Sequence, residues 1–186
     1  YYSGFCKEKF GFIVNPDKPN VKTETWLKFN MTESLLDVIG KDWIAQLAKQ
    51  KDGAMIPNMS WKKCKTKLKD IPTNELHYVK VPLNHIVIDF DIKNENGEKD
   101  YDLNLAAASK FPPTYAELSK SGAGIHLHYI YSGDVNQLSR VYDNNIEIKV
   151  SIGDASLRRQ LTKCNDLPIA TINSGLPLKP KGNTMI

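Results

Sequence analysis

The sequence predicts a mixed fold of the α/β (α+β) class, because short strands alternate with helices and no internal repeat is present. The clearest strand is an apolar run around residue 88, rich in isoleucine and valine, as is typical of a buried strand. The chain has 186 residues, 41% of them hydrophobic and 25% charged. These values are ordinary for one globular domain.

The elements before residue 82 are predicted to be few. A strand is predicted over 10–14. A helix is predicted from about Thr32 to Lys51, where apolar residues recur at helical spacing, Thr32 or Ser34 can cap the start, and Gly40 can divide it into two pieces. The lysine-rich stretch 61–69 has no clear periodicity. It predicts either a solvated loop or a loop that faces phosphates.

After residue 82 the pattern changes to short strands with helices between them. A helix is predicted over Asp102–Lys110, stopped by the following prolines, and a shorter one over Val135–Val141. Strands are predicted over 85–92, 115–119, 124–131, 146–150, 157–162 and 169–172.

The composition limits which partners, metal sites and cellular compartment are expected for this chain. The net charge of +4 permits a nucleic-acid partner without requiring one. No apolar run is long enough for a bilayer, so no membrane partner is expected. The cysteines, Cys6, Cys64 and Cys164, are scattered, which favours reduced thiols in the cytoplasm and no structural zinc site. The missing initiator Met indicates a fragment of a longer chain.

The most informative pair is Asp89 and Asp91 inside the apolar run. Residues two apart on a strand project from one face, so the two carboxylates are expected side by side. Such anions repel each other unless a cation lies between them, and Mg²⁺ or Mn²⁺ suits a pair of oxygen ligands. The alternative is a pair of exposed aspartates at a strand end.

Two later segments add candidate groups. The turn Ser119-Lys120-Ser121-Gly122-Ala123-Gly124 offers small residues, hydroxyls and a lysine to an anion, and His126 and His128 follow on one strand face. Glu147 and Lys149 share a face of another strand, where Glu147 is a candidate third metal ligand. Arg158 and Arg159 carry guanidinium groups that suit a triphosphate.

In order along the chain, these segments resemble the three-motif signature of archaeo-eukaryotic-type primases, closest to the primase-polymerases of phages and plasmids. The matching motifs are Asp89-Phe90-Asp91, then Ser121-Gly122-Ala123-Gly124-Ile125-His126, then Glu147. The resemblance covers about residues 84–175. The chain departs from the family in carrying Glu147 where Asp is usual, and Ala123 where a basic residue is common.

The resemblance implies an RNA-recognition-motif-like catalytic core over 81–176, an N-terminal α/β lobe over 1–80 and a linker over 177–186. It implies template-directed nucleotidyl transfer in replication of a phage or mobile element, in the cytoplasm of a bacterial host. The implied partners of the chain are a single-stranded DNA template and primer, nucleoside triphosphates and a helicase domain of the parent chain.

The resemblance also implies the residues of the site. Two Mg²⁺ or Mn²⁺ ions would be held by Asp89, Asp91 and Glu147. Nucleotide-binding residues would be Ser119, Ser121, Gly122, Gly124, His126, Lys149, Arg158 and Arg159, with Lys62, Lys63, Lys65 and Lys67 along the template.

Two other readings of the same residues stay open. Glu147-Ile148-Lys149 also fits the Glu-x-Lys element of metal-dependent nucleases, with Asp89 or Asp91 as the upstream acid. That reading leaves the segment from Ser121 to His126 without a role, and its acids are widely spaced along the chain. The third reading is a non-catalytic nucleic-acid-binding module with solvated carboxylates.

Overall fold

The computed structural model describes residues 25–180, which form two mostly antiparallel sheets and few helices. The mixed α+β class predicted from the sequence is therefore confirmed. The helices are α1 (Leu35–Ile39) and α2 (Tyr101–Ala108), with single 3-10 turns over Leu68–Asp70 and Val135–Gln137. The strands are β1 (Ala45–Lys51), β2 (Ala54–Pro57), β3 (His77–Val79), β4 (His85–Phe90), β5 (Ala116–Leu118), β6 (Ile125–Tyr131), β7 (Val141–Asp143), β8 (Ile146–Val150), β9 (Leu157–Arg159) and β10 (Ala170–Ile172).

The larger sheet has the strand order β10-β6-β4-β8-β7, and β5 also pairs with β6. Strand β4 is antiparallel to both of its neighbours. Side chains alternate along β4, so Ile86, Ile88 and Phe90 enter the main hydrophobic core while Val87 and Asp89 leave from the other face. The central strand therefore carries the core on one face and the candidate site on the other.

The smaller sheet has the order β2-β1-β3-β9. It joins strands from the first eighty residues to β9, which lies in the chain between β8 and β10 of the larger sheet. Its apolar side chains, among them Ala45, Val79 and Leu157, cluster with Val87 of β4. The smaller sheet thus covers the face of β4 that points away from the main core. It does so at Val87, two residues before Asp89 on that same face.

The long helix predicted over Thr32–Lys51 is wrong. Helix α1 spans only Leu35–Ile39, capped by the Ser34 side chain, and residues 45–51 are strand β1. The chain turns at Gly40, where a Cβ atom would lie 2.2 Å from the Trp43 ring. Pairing of β1 with strands on both sides overrides the helical spacing of its apolar residues.

Several boundaries also differ from the prediction. The predicted helix over Val135–Val141 is a 3-10 turn that ends at Gln137, because Val141 begins β7. The predicted strands over 85–92 and 157–162 end earlier, at Phe90 and Arg159. Strands β2, β3 and β7 were not predicted. The strand predicted over 10–14 lies outside the described residues.

The described helices are short. Within residues 25–180, none has the length and apolar character that crossing a bilayer requires.

Candidate functional site

The register of the larger sheet sets Asp89 between two other predicted site residues. Asp89 lies opposite His126 on β6 and opposite Glu147 on β8. Directly opposed residues of antiparallel strands project from the same face. The three motif residues, which are far apart in the sequence, therefore stand in one row across the sheet.

The Asp89 carboxylate is nearly buried, with 9% of the side chain exposed, and each oxygen faces a nitrogen. Its Oδ1 lies 3.2 Å from Nε2 of His126, and its Oδ2 lies 3.2 Å from Nζ of Lys149. Burial alone would raise the pKa of Asp89, but the contacts with His126 and Lys149 outweigh it and lower the pKa. Asp89 is therefore held as an anion.

Asp91 lies just beyond the end of β4, where its backbone N–H donates to the carbonyl of Asn145 at 2.8 Å. Its Oδ1 is 3.1 Å from Nζ of Lys99. Lys99 was not predicted as a site residue. The signal that could have found it is the turn through Asn94 and Gly97, which folds the chain back so that residue 99 returns beside the end of β4.

The glycine-containing turn closes on itself and lies against Asp91. The Ser119 hydroxyl accepts the backbone N–H of Gly124 at 2.9 Å, and Gly122 has φ +81°, a value that favours glycine. A Cβ atom on Gly124 would lie 3.0 Å from both Oδ1 of Asp91 and Oγ of Ser119. Glycine at position 124 is therefore what lets the turn approach the carboxylate.

These groups line one open pocket of about 580 Å³, which includes both aspartates, His126 and the serines Ser119 and Ser121. Its cationic lining residues are Lys99, Lys120, Lys149, Arg158 and Arg159. Cations thus outnumber the two aspartates, which suits a ligand with several negative charges. Glu147 is exposed at the edge of this region and is not part of the lining.

Arg158 and Arg159 differ in surroundings, although both border the pocket. Arg159 is 3% exposed, and its guanidinium contacts Oε2 of Glu117 at 2.8 Å and Oδ1 of Asp37 at 2.7 Å. Burial alone would raise the pKa of Glu117, but Arg159 outweighs it and lowers the pKa to about 2. The Arg159 nitrogens are therefore engaged within the protein, whereas Arg158 is exposed.

A buried polar cluster, formed by Ser34, Asp37, His77, Tyr115, Glu117 and Arg159, surrounds this ion pair. The cluster was not predicted from the sequence, because its members lie in or directly beside four separate elements, α1, β3, β5 and β9. His128, which shares a strand face with His126, is buried beside it and hydrogen-bonded to His85 at 2.9 Å. Burial lowers the pKa of both His85 and His128. His126 alone of the predicted histidine pair reaches the pocket.

The predicted template lysines lie elsewhere. Lys62, Lys63 and Lys65 are exposed. Nζ of Lys67 is 4.0 Å from Oδ1 of Asp42, and Nζ of Lys69 is 3.2 Å from the same oxygen. All three side chains are exposed. Among the described residues, none of these lysines borders the pocket.

The donor set at the pocket fits a hard divalent cation. Carboxylate oxygens are the ligands that Mg²⁺ and Mn²⁺ prefer, and Oδ1 of Asp89 is buried without an aligned hydrogen bond. In the part of the chain that the structure describes, no three His, Cys, Asp or Glu side chains are gathered closely enough to hold an ion. The fit therefore rests on Asp89 and Asp91, with Glu147 at the opposed position.

No family model matches the chain, and no curated protein matches it. The function of the chain is therefore inferred from the geometry of this pocket and from the motifs that meet there.

Proposed function

We propose that this chain is a DNA primase-polymerase of the archaeo-eukaryotic type, which transfers nucleotides from nucleoside triphosphates in a template-directed reaction. The observation that carries the proposal is the row formed by His126, Asp89 and Glu147 across three adjacent strands. The Ser119–Gly124 turn lies against Asp91 at the end of that row. All three sequence motifs of the resemblance thus meet at one end of one sheet.

The topology around the site supports an RNA-recognition-motif-like core. Strands β5, β6, β4 and β8 lie in that order and are antiparallel, and α2 connects β4 to β5. This corresponds to a β-α-β-β-α-β unit whose first strand is central. The departure is the second helix, since the chain between β6 and β8 forms the 3-10 turn over Val135–Gln137 and strand β7.

The charge of the pocket supports a triphosphate as the ligand. Arg158 and Lys120 are exposed cations at its border, and the hydroxyls of Ser119 and Ser121 can donate to phosphate oxygens. We also assign to His126, which lies beside Asp89, a contact with the phosphate oxygens of the triphosphate. Arg159 contributes by holding β9 in place through its ion pairs with Glu117 and Asp37, which positions its neighbour Arg158.

Asp89, Asp91 and Glu147 are the residues that would hold two Mg²⁺ or Mn²⁺ ions. When bound, such ions lower the pKa of an attacking hydroxyl and neutralise the charge that develops on the leaving pyrophosphate. The exposed lysines Lys62, Lys63 and Lys65, outside the pocket, are assigned to the backbone of a single-stranded template.

The test is primer extension and de novo synthesis on one single-stranded DNA template, with ribo- and deoxynucleotides and with Mg²⁺ or Mn²⁺. Wild-type protein is expected to incorporate nucleotides, and Asp89→Asn to lose about a hundredfold or more of the rate. The matched control is Asp102→Asn, an exposed carboxylate on α2 outside the pocket, which should keep its activity. Synthesis by Asp89→Asn at the wild-type rate would contradict the proposal.

A metal-dependent nuclease is the second candidate, favoured by one contact. Nζ of Lys149 lies 3.2 Å from Oδ2 of Asp89, and Glu147 is opposite Asp89, so an acid and a Glu-x-Lys element share one face. In this reading Lys149 would position the attacking water. It leaves the contact between the Ser119–Gly124 turn and Asp91 without a role, which is why we rank it second.

A further inference from the structure

Lys99 is fixed beside Asp91 by a tight hairpin between β4 and α2. The backbone N–H of Asp100 donates to the carbonyl of Ile92 at 3.0 Å, and that of Asn94 to the carbonyl of Glu98 at 2.8 Å. Gly97, at φ +78°, makes the reversal. Lys99 is thereby returned to the end of β4, where its Nζ is 3.1 Å from Oδ1 of Asp91.

Both ends of this hairpin are anchored on α2. The Asp100 carboxylate accepts the backbone N–H of Leu103 at 3.0 Å and caps the helix. The buried Asn104 side chain accepts the N–H of Ile92 at 2.8 Å. The Lys99 side chain, by contrast, is 40% exposed and reaches the pocket on a flexible stem. Lys99 therefore carries its charge on a long, partly exposed side chain that starts from a fixed backbone position.

We propose that Lys99 is a nucleotide-binding residue that neutralises Asp91 in the absence of a divalent cation and contacts a phosphate oxygen of the nucleoside triphosphate once the cation is bound. The inference rests on the proposed function, because it takes Asp91 as a metal ligand. An ammonium group and a divalent ion at Oδ1 of Asp91 repel each other, so each weakens the binding of the other at that oxygen.

The arrangement has a thermodynamic consequence. Lys99 competes with the metal when no nucleotide is present, and the triphosphate removes that competition by offering the ammonium group a new partner. Metal and nucleotide binding must then strengthen each other by the same factor. Lys149, 3.2 Å from Oδ2 of Asp89, is placed to act in the same way from the opposite side.

The experiment measures Mn²⁺ binding by electron paramagnetic resonance, with and without a non-hydrolysable deoxynucleoside triphosphate. The test variant is Lys99→Met, which keeps most of the unbranched side chain and removes its charge. The control is Lys93→Met, which lies across the hairpin from Lys99 and does not border the pocket. Asp91→Asn reports whether Mn²⁺ binds at this site at all, and circular dichroism melting verifies that each variant is folded.

We expect Lys99→Met to bind Mn²⁺ more tightly than wild type without nucleotide, on the order of tenfold. We also expect the nucleotide to enhance Mn²⁺ binding less in that variant than in wild type, and Lys93→Met to match wild type in both measurements. If Asp91→Asn weakens Mn²⁺ binding but Lys99→Met does not differ from wild type, the role of Lys99 is overturned while the metal site stands. If Asp91→Asn binds Mn²⁺ as wild type does, the proposed function fails as well.

Discussion

Asn104 joins the end of the central strand to the glycine-containing turn. Its Oδ1 accepts the backbone N–H of Ile92 at 2.8 Å, and its Nδ2 donates to the carbonyl of Ala123 at 2.9 Å. The side chain is fully buried on α2. One amide group therefore fixes the distance between two motifs that approach the same substrate from different parts of the chain.

Replacing Asn104 by Ala should affect both stability and substrate binding. The N–H of Ile92 and the carbonyl of Ala123 would lose their partners, and each buried group left unsatisfied costs about 1–3 kcal/mol. Urea unfolding should show this loss, and steady-state kinetics of primer extension should show a higher KM for nucleotide. Leu103→Ala, an exposed position on the same helix, is the control and should change neither. An unchanged KM in Asn104→Ala would limit the amide to a structural role.

Gly124→Ala should impair the site more than the fold. The added methyl group would lie 3.0 Å from Oδ1 of Asp91 and from Oγ of Ser119, and 3.2 Å from the carbonyl oxygen of Phe90, so these groups or the turn must shift by a few tenths of an ångström. We expect nucleotide incorporation to fall at least tenfold, with a loss of unfolding free energy of about 1–3 kcal/mol. Gly53→Ala is the control, because its φ of +81° imposes backbone strain where the added methyl group meets no other atom, and Gly53 does not line the pocket. Equal activity in the two variants would show that the close approach is not needed.

Lys149→Ala decides between the two enzymatic readings. A polymerase should keep substantial incorporation, because Lys149 only neutralises Asp89 and helps to bind the nucleotide. A Glu-x-Lys nuclease should lose its activity, because the lysine positions the attacking water. The measurement is extension and degradation of labelled single- and double-stranded DNA with Mg²⁺ or Mn²⁺, with Lys110→Ala, an exposed lysine at the end of α2, as control. DNA cleavage that disappears in Lys149→Ala would favour the nuclease.

The Glu117–Arg159 pair should make the fold sensitive to acid. The pKa of Glu117 is lowered from 4.5 to about 2, so the unfolded chain binds a proton there that the folded chain does not. Ionised Glu117 contributes a few kcal/mol to the free energy of unfolding. This contribution is fully present above about pH 4.5 and is lost as the pH falls toward 2. Urea unfolding from pH 7 to 3 should show this decline, and Glu117→Gln should flatten it below pH 4.5 while weakening the fold at neutral pH.

His85 should add a separate decline at higher pH. Burial lowers its pKa from 6.5 to about 4, so unfolding takes up a proton between those values and stability falls as the pH drops through that window. His85→Phe, which cannot take up a proton, should reduce this upper decline and leave the lower one. The part that remains comes from His77 and His128, whose pKa values burial also lowers. A single decline below pH 4.5 in the wild-type protein would contradict the assignment.

Sequence patterns predicted the elements that bury a continuous apolar face. Strands β4, β6 and β8 and helix α2 were found with small errors, because alternation and helical spacing decide such segments locally. Strand β1 was missed because its apolar residues also fit helical spacing, and only its two pairing partners identify it as a strand. The registers that align Asp89 with His126 and Glu147 depend on pairing between distant segments, as does the buried ion pair of Glu117 and Arg159. No local pattern specifies those contacts.

The pairing of β9 with β3 has a consequence for how the molecule assembles. His77 and Tyr78 pair with Arg159 and Arg158, so this edge of the smaller sheet closes only after a long segment of intervening chain has been brought together. Contacts of such high sequence separation slow folding and tend to form late. We therefore expect refolding to regain β-sheet signal before it regains nucleotide affinity, since Arg158 and Arg159 reach the pocket only when β9 docks on β3. Stopped-flow refolding with a fluorescent nucleotide would resolve the two phases.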